Sequence, residues 1–264
     1  MELPIERWAE IKKMCEKFNV EFLATPFSNT AVDLLQELNV DRYKVGSGDI
    51  HNLLMLEKIA KTGKEIILST GLANDDELEE TVNFLSEFDS QLSILQCTTK
   101  YPTEAKDVRF DRMLDFSKKF DFPIGLSDHS GEIFPGIAAV SMGASIVEAH
   151  ITFDKRMFGP DSVASLSIDN FQEMVRGIRF IEEARGLQQN IKSNANNKDL
   201  KRIFGRSITV NKNLDKGSKI TFEDLEGAKP SGMGIDVNEF RNILGKSLSK
   251  SKLKGNFLNK TDFL

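Results

Sequence analysis

Apolar positions recur along this chain at two periods, and the two alternate. Ile5, Trp8, Ile11, Met14 and Cys15 fall at helical spacing and predict an amphipathic helix over 5–18. Residues 21–27, EFLATPF, then read as a buried strand. Asn29 is placed to cap a helix to residue 38, with Ala31, Leu34, Leu35 and Leu38 on one face. The pattern repeats. Strands are predicted at 43–49, 65–71, 92–97, 123–126 and 146–152. Helices are predicted after Leu53, from Asp75 or Asp76 to about 88, at 110–120, at 131–143 and at 168–187.

Strand and helix in strict alternation predict an α/β domain with a parallel sheet. The strand exits share a character. They end in Thr25, Lys44 and Ser47, Ser69 and Thr70, Thr98 and Thr99, Ser127 and His129, and Glu148 and His150. Chargeable and hydroxyl groups at the carboxyl ends of successive strands point to a TIM-type (β/α) barrel. A doubly wound sheet would gather its ligand groups at one switch point instead. Six strand-like segments are counted and the chain opens on a helix, so the first two βα units of a full barrel are expected to be absent. An open barrel leaves two strand edges unpaired and admits water to the site. The chain by itself is therefore expected to have little or no activity.

From residue 188 to 202 the sequence is polar, Asn-rich and aperiodic, which predicts a linker between a barrel domain over 1–187 and a small module over 203–264. The segment from Leu214 to Leu225, LDKGSKITFEDL, has a weaker echo between Leu253 and Phe263. The small module holds eleven Lys+Arg against seven Asp+Glu, whereas the rest of the chain is net acidic. A basic module tethered to an acidic barrel suits an anionic substrate, although solvated surface charge explains it equally well.

Composition narrows the setting. The 264 residues carry a net charge of −5, which leaves no electrostatic footprint for nucleic acid. Two cysteines, Cys15 and Cys97, indicate no disulfide framework and a reducing, cytoplasmic compartment. No run of about 18 apolar residues predicts a membrane span.

The chemistry concentrates between Leu126 and Thr152, where two of the three histidines lie. His129 and His150 each end a short apolar run, and each has a carboxylate beside it, Asp128 and Glu148. Two imidazoles at equivalent ends of successive strands suit a divalent first-row metal. Lys44 supplies a cation at a glycine-flanked strand exit. Ser47, Ser69, Tyr101 and Ser127 add hydroxyl donors from that exit and its neighbours, enough to hold a phosphate or carboxylate. Asp161, in the Gly159-Pro160-Asp161 turn, faces either a polyol or only its own turn.

Taken in order, G-S-G-D (46–49), L-S-T-G (68–71), C-T-x-x-Y-P (97–102), G-L-S-D-H-S (125–130), E-x-H (148–150) and G-P-D-x-x-x-S-L (159–166) resemble the sialic acid synthase family. The terminal module is similar to the antifreeze-like (SAF) domain that ends those enzymes. The resemblance implies a phosphoenolpyruvate-dependent synthase that condenses its substrate with an N-acetylated hexosamine to give a nonulosonic acid. It implies that Lys44, Ser47, Ser69, Tyr101 and Ser127 bind phosphoenolpyruvate. It also implies that His129 and His150 hold Mn²⁺ or Mg²⁺, that Glu148 works beside the ion, and that Asp161 contacts the sugar. It further implies a homodimer with exchanged SAF domains, in which Lys229 stands where the family has an arginine that reaches the partner's sugar. Thr99 and Ser162 also depart from the family pattern, where Asn and His are usual. A related 3-deoxy-sugar-acid synthase and a non-catalytic sugar- or partner-binding module remain the alternative readings.

Overall fold

The computed structural model describes residues 3–186 and 198–264. The chain divides into two compact units, Met1–Gln189 and Asn190–Leu264.

The first unit is built on a parallel sheet in the order β1 (Arg42–Val45), β2 (Glu65–Ser69), β3 (Leu92–Cys97), β4 (Ile124–Asp128) and β5 (Ile146–Ala149). Each neighbour in space is a neighbour in sequence, so every crossover is of one kind and the sheet curls into a half-barrel. The strands β2 to β4 are buried almost throughout, as expected for a sheet covered on both faces. The helices that return between them are α3 (Leu53–Ala60), α4 (Asp75–Leu85), α5 (Phe110–Lys119) and α6 (Phe134–Ser141), while α2 (Asn29–Glu37) precedes β1 and α7 (Ile168–Ala184) follows the last of these strands. Their apolar stripes, led by Val32, Leu35, Leu56, Ile59, Leu78, Val82, Met113 and Phe116, close the core against Ile66, Leu68, Ile94 and Leu126.

The strand count differs from the six expected. Residues 21–27 are not a strand, for they lie along β1 with one backbone hydrogen bond, Lys44 N–H to Ala24 C=O at 3.3 Å. An apolar run is only a strand where a neighbouring backbone supplies the rest of the ladder. The segment expected at 146–152 breaks at His150 into β5 and β6 (Ile151–Thr152), and β6 pairs in parallel with an unexpected strand, β7 (Leu166–Ser167).

Helix starts also corrected the sequence reading. Ser28, not Asn29, caps α2 by accepting from Ala31 N–H. Asn74 caps α4 in a reciprocal capping box with Glu77. The opening helix α1 (Ile5–Lys17) forms as predicted, but it buries no residue fully and only Trp8 and Cys15 lean on the core.

The expected linker, 188–202, lies mostly outside the described residues. Its last part is helical, because α8 spans Lys198–Phe204. The second unit continues with β8 (Ser207–Val210) paired antiparallel to β9 (Leu225–Ala228). Its core gathers Ile208, Val210, Leu214, Ile220, Ile235, Ile243, Leu248 and Leu258. The sequence echo proves to be a structural repeat. Gly217 and Gly255 both take left-handed φ, +88° and +83°, as the two LysGly turns require. Each turn leads to a short 3-10 segment with the same capping box, Thr221 with Asp224 and Asn259 with Asp262. Mutual backbone hydrogen bonds between Leu214 and Lys252, both 2.8 Å, tie the halves together.

Candidate active site

The carboxyl ends of β1 to β5 bring most of the predicted site residues of the first unit into three linked groups. The first surrounds Lys44, the penultimate residue of β1, which is only 6% exposed. A buried ammonium needs acceptors and a counter-charge. Lys44 Nζ donates to Ser69 Oγ at 2.8 Å and to Val45 C=O at 3.1 Å, and it lies 3.4 Å from Glu148 Oε2. Glu148 reaches it from β5, on the far side of the curled sheet, and stays 42% exposed.

The second group forms where the β1, β2 and β3 exits meet. Gly71 N–H donates to Ser47 Oγ at 2.9 Å, and Ser47 Oγ in turn lies 3.4 Å from Cys97 Sγ. A Cβ at Gly71 would stand 2.4 Å from Thr99 Oγ1 and 2.9 Å from both Cys97 Sγ and Ser47 Oγ, so only glycine lets these polar atoms converge. Ser127, buried on β4, lies in register between Cys97 and Glu148 and links this group to the last strand.

The third group is aromatic. His129 and His150 have ring centroids 5.2 Å apart, and Tyr101 stands 4.2 Å from the first and 5.7 Å from the second. The loop after β3 grips His129 at three points. Thr98 C=O lies 3.1 Å from Nδ1, Tyr101 Oη lies 3.0 Å from Nε2, and Thr103 N–H donates to the His129 carbonyl at 2.9 Å. The Tyr101 hydroxyl is pushed up from its ordinary range by burial first, and then by the charges of Cys97, Asp161 and Glu148, so it stays a proton donor. Asp161 is thus within electrostatic reach of this cluster. It opens the short turn Ser162–Ala164, whose end is tied to the cluster by Leu166 N–H donating to His150 C=O at 2.8 Å.

The two imidazoles fit a divalent ion in one respect that the structure displays. A metal-binding histidine commonly donates its second N–H to a carbonyl, and here Thr98 C=O accepts from His129 Nδ1–H. Among the described residues no group of three or more His, Cys, Asp or Glu is gathered for an ion, so the pair His129 and His150 is what the site offers. Lys229 belongs to the second unit, where it is exposed, with its Nζ 4.9 Å above the Phe204 ring.

Two contributors have roles that the sequence did not show. Cys97 was read only for its redox meaning, although it ends the C-T-x-x-Y-P run. Thr98 acts through its carbonyl, which no residue type announces. Asp128, flagged as a carboxylate near His129, instead turns back on Ser130, accepting from Ser130 O–H at 2.7 Å and Ser130 N–H at 3.3 Å. Burial, its largest influence, raises its pKa against those hydrogen bonds.

Residues 1–190 match the NeuB family. The N,N'-diacetyllegionaminic acid synthase of Campylobacter jejuni is 36% identical over 254 residues, which cover 95% of this chain and 75% of that protein. The pseudaminic acid synthase of Helicobacter pylori is 33% identical over 251 residues, covering 94% and 72%. Among solved structures, the N-acetylneuraminic acid (sialic acid) synthetase of Leptospira borgpetersenii, in complex with citrate, superposes with a TM-score of 0.70 at 31% identity, over 75% of this chain and 70% of that one.

Proposed function

This chain belongs to the NeuB family and is a sialic-acid-synthase-like enzyme, and from that premise we propose that it condenses phosphoenolpyruvate with an N-acetylated amino sugar. The observation that carries the reading is the buried Lys44, held beside Ser69 and Glu148 at the same end of the sheet as the His129–His150 pair. A buried cation with hydroxyl neighbours suits the phosphate or carboxylate of phosphoenolpyruvate. Ser47, Ser127 and Tyr101 complete that cradle, and Asp161 faces the sugar hydroxyls.

Carbon 3 of phosphoenolpyruvate attacks the aldehyde carbon of the open-chain sugar. The cation left at carbon 2 takes up a water, and phosphate departs with cleavage of its C–O bond. Glu148 orders that water and accepts its proton, once the anionic substrate has taken over Lys44. His129 Nε2 and His150 would hold Mn²⁺ or Mg²⁺, which supplies Lewis-acid polarisation of the aldehyde oxygen when bound. N-acetylmannosamine and the diacetamido-trideoxyhexoses are the candidate sugars, in line with the activities for which the relatives are named.

The second unit, in this reading, is an antiparallel SAF-type module that serves the active site of a partner chain, with Lys229 directed at the sugar. Lysine retains the charge there but lacks the bidentate fork of arginine. Chain mass in solution, with and without residues 190–264, tests the dimer; a monomer in both cases removes this part of the proposal.

Titration of the purified chain with phosphoenolpyruvate, followed by phosphate-release assays with each sugar, tests the main reading. Saturable binding of phosphoenolpyruvate is the expected result, and whatever phosphate release occurs should depend on one of the sugars. Failure to bind phosphoenolpyruvate in the presence of Mn²⁺ or Mg²⁺ would overturn it.

A further inference from the structure

We infer that Cys97 is a positioning residue for the anion cradle: its thiol donates to Ser47 Oγ, and this leaves the serine proton free for the ligand. The inference rests on the phosphoenolpyruvate reading above and deepens it, since Cys97 acts through Ser47 rather than by touching the ligand.

A serine hydroxyl has one proton to give and two lone pairs to fill. Gly71 N–H, at 2.9 Å, fills one lone pair of Ser47. The other lone pair and the proton remain. Cys97 Sγ lies 3.4 Å from the same oxygen, within hydrogen-bonding reach of a sulfur. A thiol takes either role, as a weak donor or a weak acceptor. The ligand decides between them. The ionised oxygens of a phosphate or carboxylate only accept. An anion bound by Ser47 therefore claims the serine proton. The thiol is left facing a lone pair, which it can meet only as a donor. Gly71 N–H and Cys97 S–H then converge on Oγ, and the O–H points at the anion. With no anion present the serine proton is free to rest on the sulfur, so arrival of the ligand reverses one hydrogen bond.

The curl of the sheet supplies this convergence. Cys97 ends β3, Ser47 opens the turn Ser47–Asp49 after β1, and β2 runs between those two strands. Gly71 follows β2. A Cβ on it would stand 2.9 Å from both Cys97 Sγ and Ser47 Oγ, so the sulfur and the oxygen flank one point above the glycine. Cys97 is only 4% exposed. Little water reaches the sulfur, and a side chain without a donor at this position would leave the serine lone pair short of a partner.

A double-mutant cycle tests the coupling. Phosphoenolpyruvate is titrated calorimetrically, with Mn²⁺ present, into the full wild-type chain, Cys97→Ala, Cys97→Ser, Ser47→Ala and Ser47→Ala/Cys97→Ala, and each is melted in parallel. Cys97→Ala should raise the Kd about three- to tenfold, the range of one modest hydrogen bond. Cys97→Ser keeps a donor and should recover most of that loss. Ser47→Ala should weaken binding at least as much as Cys97→Ala. The double variant should bind no worse than Ser47→Ala alone, because the thiol has no other route to the ligand. Cys97→Val fills similar space without a proton to donate, and it replaces alanine in the cycle if Cys97→Ala does not fold. Additive losses in the double variant overturn the inference and leave Cys97 a packing residue. So does wild-type affinity in a folded Cys97→Ala or Cys97→Val chain, or a Cys97→Ser chain that binds as weakly as Cys97→Ala. A wild-type chain that binds no phosphoenolpyruvate overturns the functional reading, and this inference with it.

Discussion

Lys44 on β1 and Glu148 on β5 form an ion pair, Nζ to Oε2 3.4 Å, between residues more than a hundred positions apart. The lysine is buried and the carboxylate half-exposed, so the pair is asymmetric. Lys44 depends on a partner, whereas Glu148 can be released to water. In the proposed reaction an arriving anion would take the place of Glu148 and free it for proton chemistry.

Replacing Glu148 with glutamine should separate binding from turnover. Turnover should fall by about 10²–10⁴, the usual contribution of a positioned acid–base group. Affinity for phosphoenolpyruvate should hold or improve, because the Lys44 charge is no longer neutralised. Calorimetry and phosphate release on the same sample check both, and a parallel loss of affinity would show that Glu148 supports the cradle rather than competing with the anion.

Gly71→Ala should damage the anion site while sparing the fold. The new methyl would press on Thr99 Oγ1, Cys97 Sγ and Ser47 Oγ, at 2.4, 2.9 and 2.9 Å, and would push Ser47 out of line. Loss of one hydrogen bond to a charged ligand corresponds to roughly a tenfold or greater rise in the KM for phosphoenolpyruvate. A change in melting temperature with an unaltered KM would place the role of Gly71 in packing alone.

Asp128 makes stability depend on pH in a stated direction. Burial raises its carboxyl pKa in the folded chain above the unfolded value. The folded state then binds more protons between the two pKa values, so the contribution of Asp128 is most favourable below the unfolded pKa and is lost as pH rises through the folded one. Asp128→Asn keeps an acceptor for Ser130 N–H and removes the buried charge. It should melt higher than wild type at neutral pH, with the gap closing as pH falls into the carboxylate range. Melting curves from acid to neutral pH check the sign.

Asp262 governs the second unit. It is 1% exposed and pairs with Lys252, itself 8% exposed, at 2.5 Å and with Lys250 at 2.9 Å. Burial works to raise its pKa, but the hydrogen bonds from Lys252, Asn259 N–H and Lys250 outweigh it and hold the group below its ordinary range. Its stabilisation is therefore present above the unfolded pKa and lost as pH falls through the folded one. Asp262→Ala strands a buried lysine and should cost about 3–5 kcal/mol. Thermal unfolding of the full chain, followed with a probe placed in residues 198–264, measures it. The matching Asp224, whose partner Lys212 is exposed, should cost less.

Periodicity alone located α1, α4, α5 and α7 and ordered the strands from β1 to β5, because those features are written in neighbouring side chains. The placement of His129 and His150 at strand ends followed from the same local pattern, and the LysGly echo foretold the repeat in the second unit. Other features depended on which backbones met. Residues 21–27 carry a strand-like pattern yet find a single partner hydrogen bond, while Leu166 and Ser167, too short a run to read, become β7 because His150 offers its carbonyl. The Lys44–Glu148 pair, the Ser47–Cys97 contact and the grip of Thr98 on His129 join residues that only the curl of the sheet brings together. Residue order along the chain determined what each strand end could supply. The register and curvature of the sheet decided which of those groups would touch, since pairing is a property of two segments and not of either one.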